Sequence, residues 1–204
     1  AEFGIYELSS AITSFTKDIN DTLKLLETLD KEMMQRFALF KEAGVVNIDE
    51  YNKNHDPLPK HILFVDEFAN IVEEGRECLQ YLKRLLRMAR ACGIHIVLCT
   101  QRPDAQTVPG SIKNNVGAVI ALKCNEPVNS RIILNNDKAY YLTGNGHGIL
   151  HTNGDMEFRG FFLQTERAKK LIKHTFNKKI EKANIDDTIG VIPYADYTKR
   201  STNN

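Results

Sequence analysis

No stretch of this sequence comes near the ~20 consecutive apolar residues that a bilayer-crossing helix needs, and its acidic opening lacks the charged-then-apolar plan of a signal peptide. Cysteine is scarce. Cys78, Cys92, Cys99 and Cys124 form no C-x-x-C pair, and the six histidines supply no cluster at zinc spacing. A disulfide scaffold and a zinc module are thereby excluded, and the cysteines read as reduced, structural thiols of a cytosolic setting. No Ser-His-Asp or Cys-His arrangement can be argued from the residue order. The phosphate-cradling pattern G-x-x-x-x-G-K-[ST] is missing as well, since the chain contains no Gly-Lys dipeptide. Internal repeats and low-complexity blocks are likewise not found.

What is present fits one α/β domain. A chain of 204 residues is long enough to bury a substantial core, and 26% charged with 42% hydrophobic residues is the balance of a soluble globular protein. The formal net charge of +1 hides an asymmetry. Residues 1–75 carry 7 Lys/Arg against 15 Asp/Glu, and residues 76–182 carry 18 against 8. A basic middle suits a polyanion, although a solvated surface gives the same bias.

Apolar residues at Ile19, Leu23, Leu26, Met33, Phe37 and Phe40 fall on one face of a long helix over 17–41, with Gly44 as its stop. The prolines of "NHDPLP" mark a loop at 54–59. "HILFVD" (61–66) is an apolar strand, 73–92 a second helix with a leucine face, and Gly93 the break before a second strand at 94–100. A short helix near 111–115 precedes a third strand at 116–124, and 126–135 is helical with Pro127 in its first turn. Asn153-Gly154-Asp155 joins two short strands. A basic helix over 165–180 follows, then a polar tail from about 184, giving a partition into a folded unit, 1–183, and a tail, 184–204. "GNGHG" (144–148) is a turn rather than a phosphate loop, because no strand precedes it and no helix follows. His95 lies inside a strand and is expected to pack there. Near-continuous apolar strands alternating with helices predict a mostly parallel sheet covered on both faces.

The first strand ends in two adjacent carboxylates, Asp66 and Glu67. Ligands of an open parallel sheet bind beyond the carboxyl ends of its strands, and neighbouring strand residues point to opposite faces. One carboxylate can therefore hold magnesium while the other orients and deprotonates a water. Apolar residues followed by Asp-Glu make the Walker B pattern; an acidic helix start complementing the dipole is the alternative. The next strand ends in Gln101, an amide placed to sense a γ-phosphate or position the same water.

"HILFVDEFANI", "RMARACGIHIVLCTQRPDAQTVPGSIKNNVGAVIALK" and "SRIIL" together resemble the motor domain of the FtsK/SpoIIIE family, from about residue 1 to 163. The long helix followed by "GVVNIDEYN" resembles the segment that precedes Walker B there. The resemblance implies a RecA-like P-loop NTPase fold, incomplete on its N-terminal side, with ATP and Mg²⁺ as cofactors. It also implies double-stranded DNA as partner, a homo-oligomer that is a hexameric ring in the full-length protein, and a cytoplasmic motor domain with no membrane contact from this segment. Asp66 then matches the magnesium residue, Glu67 the catalytic base, Gln101 the sensor, and Arg90 the arginine finger that reaches a neighbouring subunit. Arg102, Lys113 and Arg131 fall where the family's pore loops carry DNA-contacting basic residues. Pro127 stands about where another basic contact belongs, so the grip is weaker or differently placed.

The missing Walker A loop is the main departure. In the family it lies upstream of the equivalent of Ala1, so the expectation is a C-terminal portion of a longer motor. These 204 residues alone are then expected to hydrolyse ATP poorly or not at all. Conjugation-coupling proteins and type VII secretion ATPases of the same family, or a non-catalytic scaffold built on a degenerate motor domain, are the rival readings.

Overall fold

The computed structural model describes residues 2–7, 9 and 12–175. The expected polar tail, and the end of the basic helix past 175, lie outside the described residues. A 3-10 turn at Glu2–Tyr6 leads to α1 (Ile19–Ala43), whose first amides, of Asn20 and Asp21, are capped by the Asp18 carboxylate. Gly44 ends this helix in the left-handed conformation, φ +69°, which glycine adopts without a Cβ penalty. Then come α2 (Ile48–Asn54), β1 (His61–Val65), α3 (Phe68–Glu74), α4 (Arg76–Met88) and β2 (Ile94–Leu98). α5 (Gly110–Lys113), β3 (Val119–Leu122), α6 (Pro127–Leu134), a 3-10 turn at Lys138–Tyr141, β4 (His147–His151), β5 (Asp155–Arg159) and α7 (Thr165–Thr175) complete the chain.

β1 and β2 pair in parallel, His61 opposite Ile94 through Val65 opposite Leu98. α1 and α4 pack against each other over one face of this pair. Leu26, Met33, Phe40, Leu82, Leu85 and Ile94 are nearly sealed from solvent there. Burying each such side chain is worth about 1.5–3 kcal/mol, and this layer is what fixes the strands. A second, smaller core of Ala121, Leu134, Ala139, Leu142 and Ile149 joins α6 to the second sheet.

The α/β architecture holds, with differences from the sequence expectation. Parallel pairing is confined to β1–β2 among the described residues, while β3 pairs antiparallel with β4, and β4 with β5. Nor do the described residues cover the parallel pair on both faces: Ile62 and Phe64 are 60% and 58% exposed, and beside them lie the exposed His95 and Val97. His95 is therefore an outward residue, not a packed one. The second sheet is open in the same way, with Ile120, Leu122 and Met156 exposed. The helix expected over 73–92 is broken at Gly75, and α2 was not expected at all. "GNGHG" is a turn, as read, with Gly144, Asn145 and Gly146 at positive φ. The cysteines are free, and burial pushes the Cys92 thiol up to about 11.

Candidate functional site at the carboxyl ends of β1 and β2

The ends of the two parallel strands are stitched together. Cys99 N–H donates to Val65 O, and Phe68 N–H donates to Cys99 O, each at 2.8 Å. This brings residues 66–67 and 99–101 to one edge of the sheet. Asp66 continues the outward alternation of Ile62 and Phe64 and stands exposed. Glu67 turns the other way and caps α3.

The Glu67 carboxylate is closely held. Oε1 accepts the Thr100 hydroxyl at 2.6 Å and the Ala69 amide at 3.3 Å, and Oε2 accepts the Gln101 amide at 3.2 Å. Burial raises its pKa. The hydrogen bonds from Thr100, Gln101 and Ala69, with the Arg102 charge, outweigh that effect and leave the group below its ordinary value. Glu67 is thus a carboxylate at neutral pH, with three of its acceptor positions filled by Thr100, Ala69 and Gln101.

The Gln101 side chain is exposed beside it, at the same end of the sheet. Sequence reasoning paired Glu67 with Gln101 and missed Thr100, whose only signal was its place at the close of the adjoining strand. Arg90 lies elsewhere. It stands exposed in the turn before β2, at the opposite end of the strands, which are about 16 Å long by strand rise. There it lines a cleft of about 480 Å³ with Asp49, Lys60, Arg87 and His95. Within one chain Arg90 is remote from Glu67.

Of the three basic residues expected at DNA, Arg102 pairs with Glu73 of α3. The Lys113 ammonium donates to Ile132 O at 2.7 Å and to Asn135 Oδ1 at 2.6 Å, closing the carboxyl end of α6. Arg131 extends from α6, 63% exposed, with Asp137 at 3.6 Å. Lys113 and Arg131 therefore meet at one helix, whereas Arg102 belongs to the edge that holds Glu67.

The donor set fits a nucleotide-bound magnesium in part. No group of three or more His, Cys, Asp or Glu able to hold a metal exists among the described residues. Mg²⁺ is commonly held by only one or two carboxylates, with water and substrate phosphates filling its shell. An exposed aspartate at a strand end meets that need; the amide cradle for the phosphates is not part of these residues.

The chain is 32% identical over 168 residues to the DNA translocase FtsK of Clostridium tetani, covering 78% of this chain and 23% of that protein. It is 32% identical over 180 residues to the DNA translocase FtsK of Treponema pallidum, covering 82% and 22%. It thus spans less than a quarter of the length of these two relatives. No family model matches. Among solved structures it resembles the pCW3 conjugation coupling protein TcpA, in monomer form with ATPγS. The TM-score is 0.71 and the identity 28%, over 78% of this chain and 49% of that one. The cytoplasmic domain of the Thermomonospora curvata type VII secretion ATPase EccC matches with a TM-score of 0.72 at 18% identity, over 94% and 24%. That second likeness shows the fold alone.

Proposed function

We propose that this chain, a relative of the FtsK/SpoIIIE translocase family, forms the hydrolysis-and-coupling part of an ATP-driven motor that moves duplex DNA. The observation that carries the reading is the meeting of Asp66, Glu67, Thr100 and Gln101 at one edge of two parallel strands, in a chain 32% identical to a DNA translocase. Bound Mg²⁺ would neutralise developing phosphate charge. Asp66 is the residue to hold it, directly or through water; Glu67 accepts the proton of the attacking water; Gln101 orients that water.

Arg90 stands too far from its own Glu67 to share a site with it. Its role is therefore in trans: its guanidinium, always charged and rich in donors, serves the nucleotide of a neighbouring copy in a ring. Arg102, Lys113 and Arg131 supply contacts to duplex phosphates, which grip without reading sequence. A motor domain working in the cytoplasm is the setting this implies, and no described helix is long and apolar enough to cross a membrane. The greater identity to DNA translocases and to a conjugation coupling protein than to the secretion ATPase favours DNA as cargo.

The test is duplex binding by fluorescence anisotropy at several salt concentrations, with two unrelated sequences. Equal affinity for both is expected, falling steeply with salt, and Arg102→Ala should lower the log–log salt slope by about one. An absence of binding at low salt sinks the reading.

A further inference from the structure

Thr100 does two things at once. Its hydroxyl donates to Glu67 Oε1 at 2.6 Å and accepts the Arg102 amide at 3.1 Å. The Arg102 guanidinium reaches Glu73, in the last turn of α3, the helix whose first turn Glu67 caps. A closed circuit results, running from Glu67 through Thr100 to Arg102, across to Glu73, and back along α3. Three consecutive residues, 100–102, touch both ends of one seven-residue helix.

A general base needs a lone pair free to face the proton it takes. A carboxylate offers about four acceptor positions, and three of those on Glu67 are taken by its own chain. In this arrangement Glu67 is parked against α3. The circuit has a weak member, the Arg102–Glu73 pair, whose side chains are 58% and 56% exposed. Solvent screens such a pair, and a phosphate oxygen competes well for a guanidinium. The Thr100–Glu67 bond is short and partly buried, so a ligand displaces the outer pair first.

We propose that Thr100 is a positioning residue that holds Glu67 against the start of α3, and that Arg102 sets the hold, so that a duplex phosphate drawing Arg102 from Glu73 releases Glu67 for the water. The trigger rests on the DNA reading given above; the hold does not. Binding shifts such an equilibrium only through a difference in affinity between the two arrangements, and here the difference is the Arg102–phosphate contact, which the Glu73-paired state cannot make.

The test is amide hydrogen exchange by NMR on the 204-residue chain, read at Gln101 and Ala69, whose amides donate to Glu67. The Cys99 amide, which pairs with Val65, serves as the control for an intact sheet. Thr100→Val should speed exchange at Gln101 and Ala69 several-fold with Cys99 unchanged, and Thr100→Ser should restore it. Glu73→Gln, which frees Arg102 without DNA, should move the same two amides in the same direction. Saturating duplex should reproduce that change in the unaltered chain and fail to add to it in Glu73→Gln. Unchanged Gln101 and Ala69 exchange in Glu73→Gln overturns the circuit. Duplex that binds by anisotropy yet leaves both amides in place overturns the trigger while the DNA reading stands. Duplex that does not bind overturns the DNA reading and its trigger, and the Thr100 and Glu73 variants then decide the hold by themselves.

Discussion

Arg36 is the most constrained charge in the described chain, at 2% exposure. Its Nε donates to Glu32 Oε1 at 3.0 Å, its second terminal nitrogen binds the same oxygen, and its first donates to Cys92 O at 2.6 Å. His61 Nε2 meets Glu32 Oε1 at 3.0 Å. Burial raises the Glu32 pKa, but the His61 hydrogen bond and the Arg36 charge together bring it below its ordinary value. Stability from this carboxylate is therefore present above the unfolded pKa and fades as pH falls through the folded one. Because Glu32 is also buried, removing its cation strands a charge. Arg36→Ala is expected to destabilise the chain by about 3–5 kcal/mol, read from urea midpoints at neutral pH. Replacing both partners by apolar residues should cost much less. None of this was legible in the sequence, where Arg36 sits between Met33 and Phe37 of an apolar stripe and looks like a surface interruption. The meeting of Glu67 and Gln101 at one edge of the sheet, by contrast, was legible, because strand ends name their own address. Thr100 and Glu73 were not, since a hydroxyl and one more acid carry no pattern until the turn is folded.

At the scale of elements, apolar spacing revealed α1, the strands and α6, and glycine revealed the stops. It failed at Gly75. The leucines of 79–86 continue a helical period through "EEG", so the sequence reads as a single helix. The break is tertiary: a Cβ on Gly75 would stand 2.6 Å from Ile19 Cδ1, so the start of α1 packs into the corner between α3 and α4. α2 was missed because only seven residues form it, yet a cap was there to see. Asn47 Oδ1 accepts the Glu50 amide at 2.9 Å, and Glu50 Oε2 accepts the Val46 amide at 3.1 Å, a near relation of the capping box. Two left-handed glycines give a paired prediction. At Gly44 (φ +69°) nothing crowds a new Cβ, so Gly44→Ala should lose only the backbone preference, about 1–2 kcal/mol. At Gly93 (φ +83°) the new Cβ would also land 2.5 Å from Ile48 Cδ1. Gly93→Ala should be clearly the more damaging in urea unfolding, and because Gly93 O anchors the His61 amide, the loss should reach β1. Equal midpoints for the two variants would contradict this account.

For the molecule as a whole, the sequence misjudged the cover of the sheet for a physical reason. Continuous apolar strands report two faces that avoid water, but not whether the residues in hand cover both. α1 and α4 cover Leu63, Val65, Ile96 and Leu98, while Ile62, Phe64 and Val97 remain in the open. Asp66 lies on this open side, next in alternation after Phe64. The side where the proposed magnesium would sit is thus the side without a covering layer among the described residues, and the sequence contains no G-x-x-x-x-G-K-[ST] loop whose amides and lysine cradle a triphosphate. In the proposed roles Glu67 and Gln101 would position a water, but a water without a fixed phosphorus gains little, since phosphoryl transfer depends on positioning and charge stabilisation together. The 204 residues by themselves are therefore expected to show ATP turnover no faster than buffer, and Glu67→Gln should leave that rate unaltered. Brisk turnover that vanishes in Glu67→Gln would mean that these residues hold the phosphates without a Walker A loop, and the division of labour argued here between strand ends and cradle would have to be abandoned.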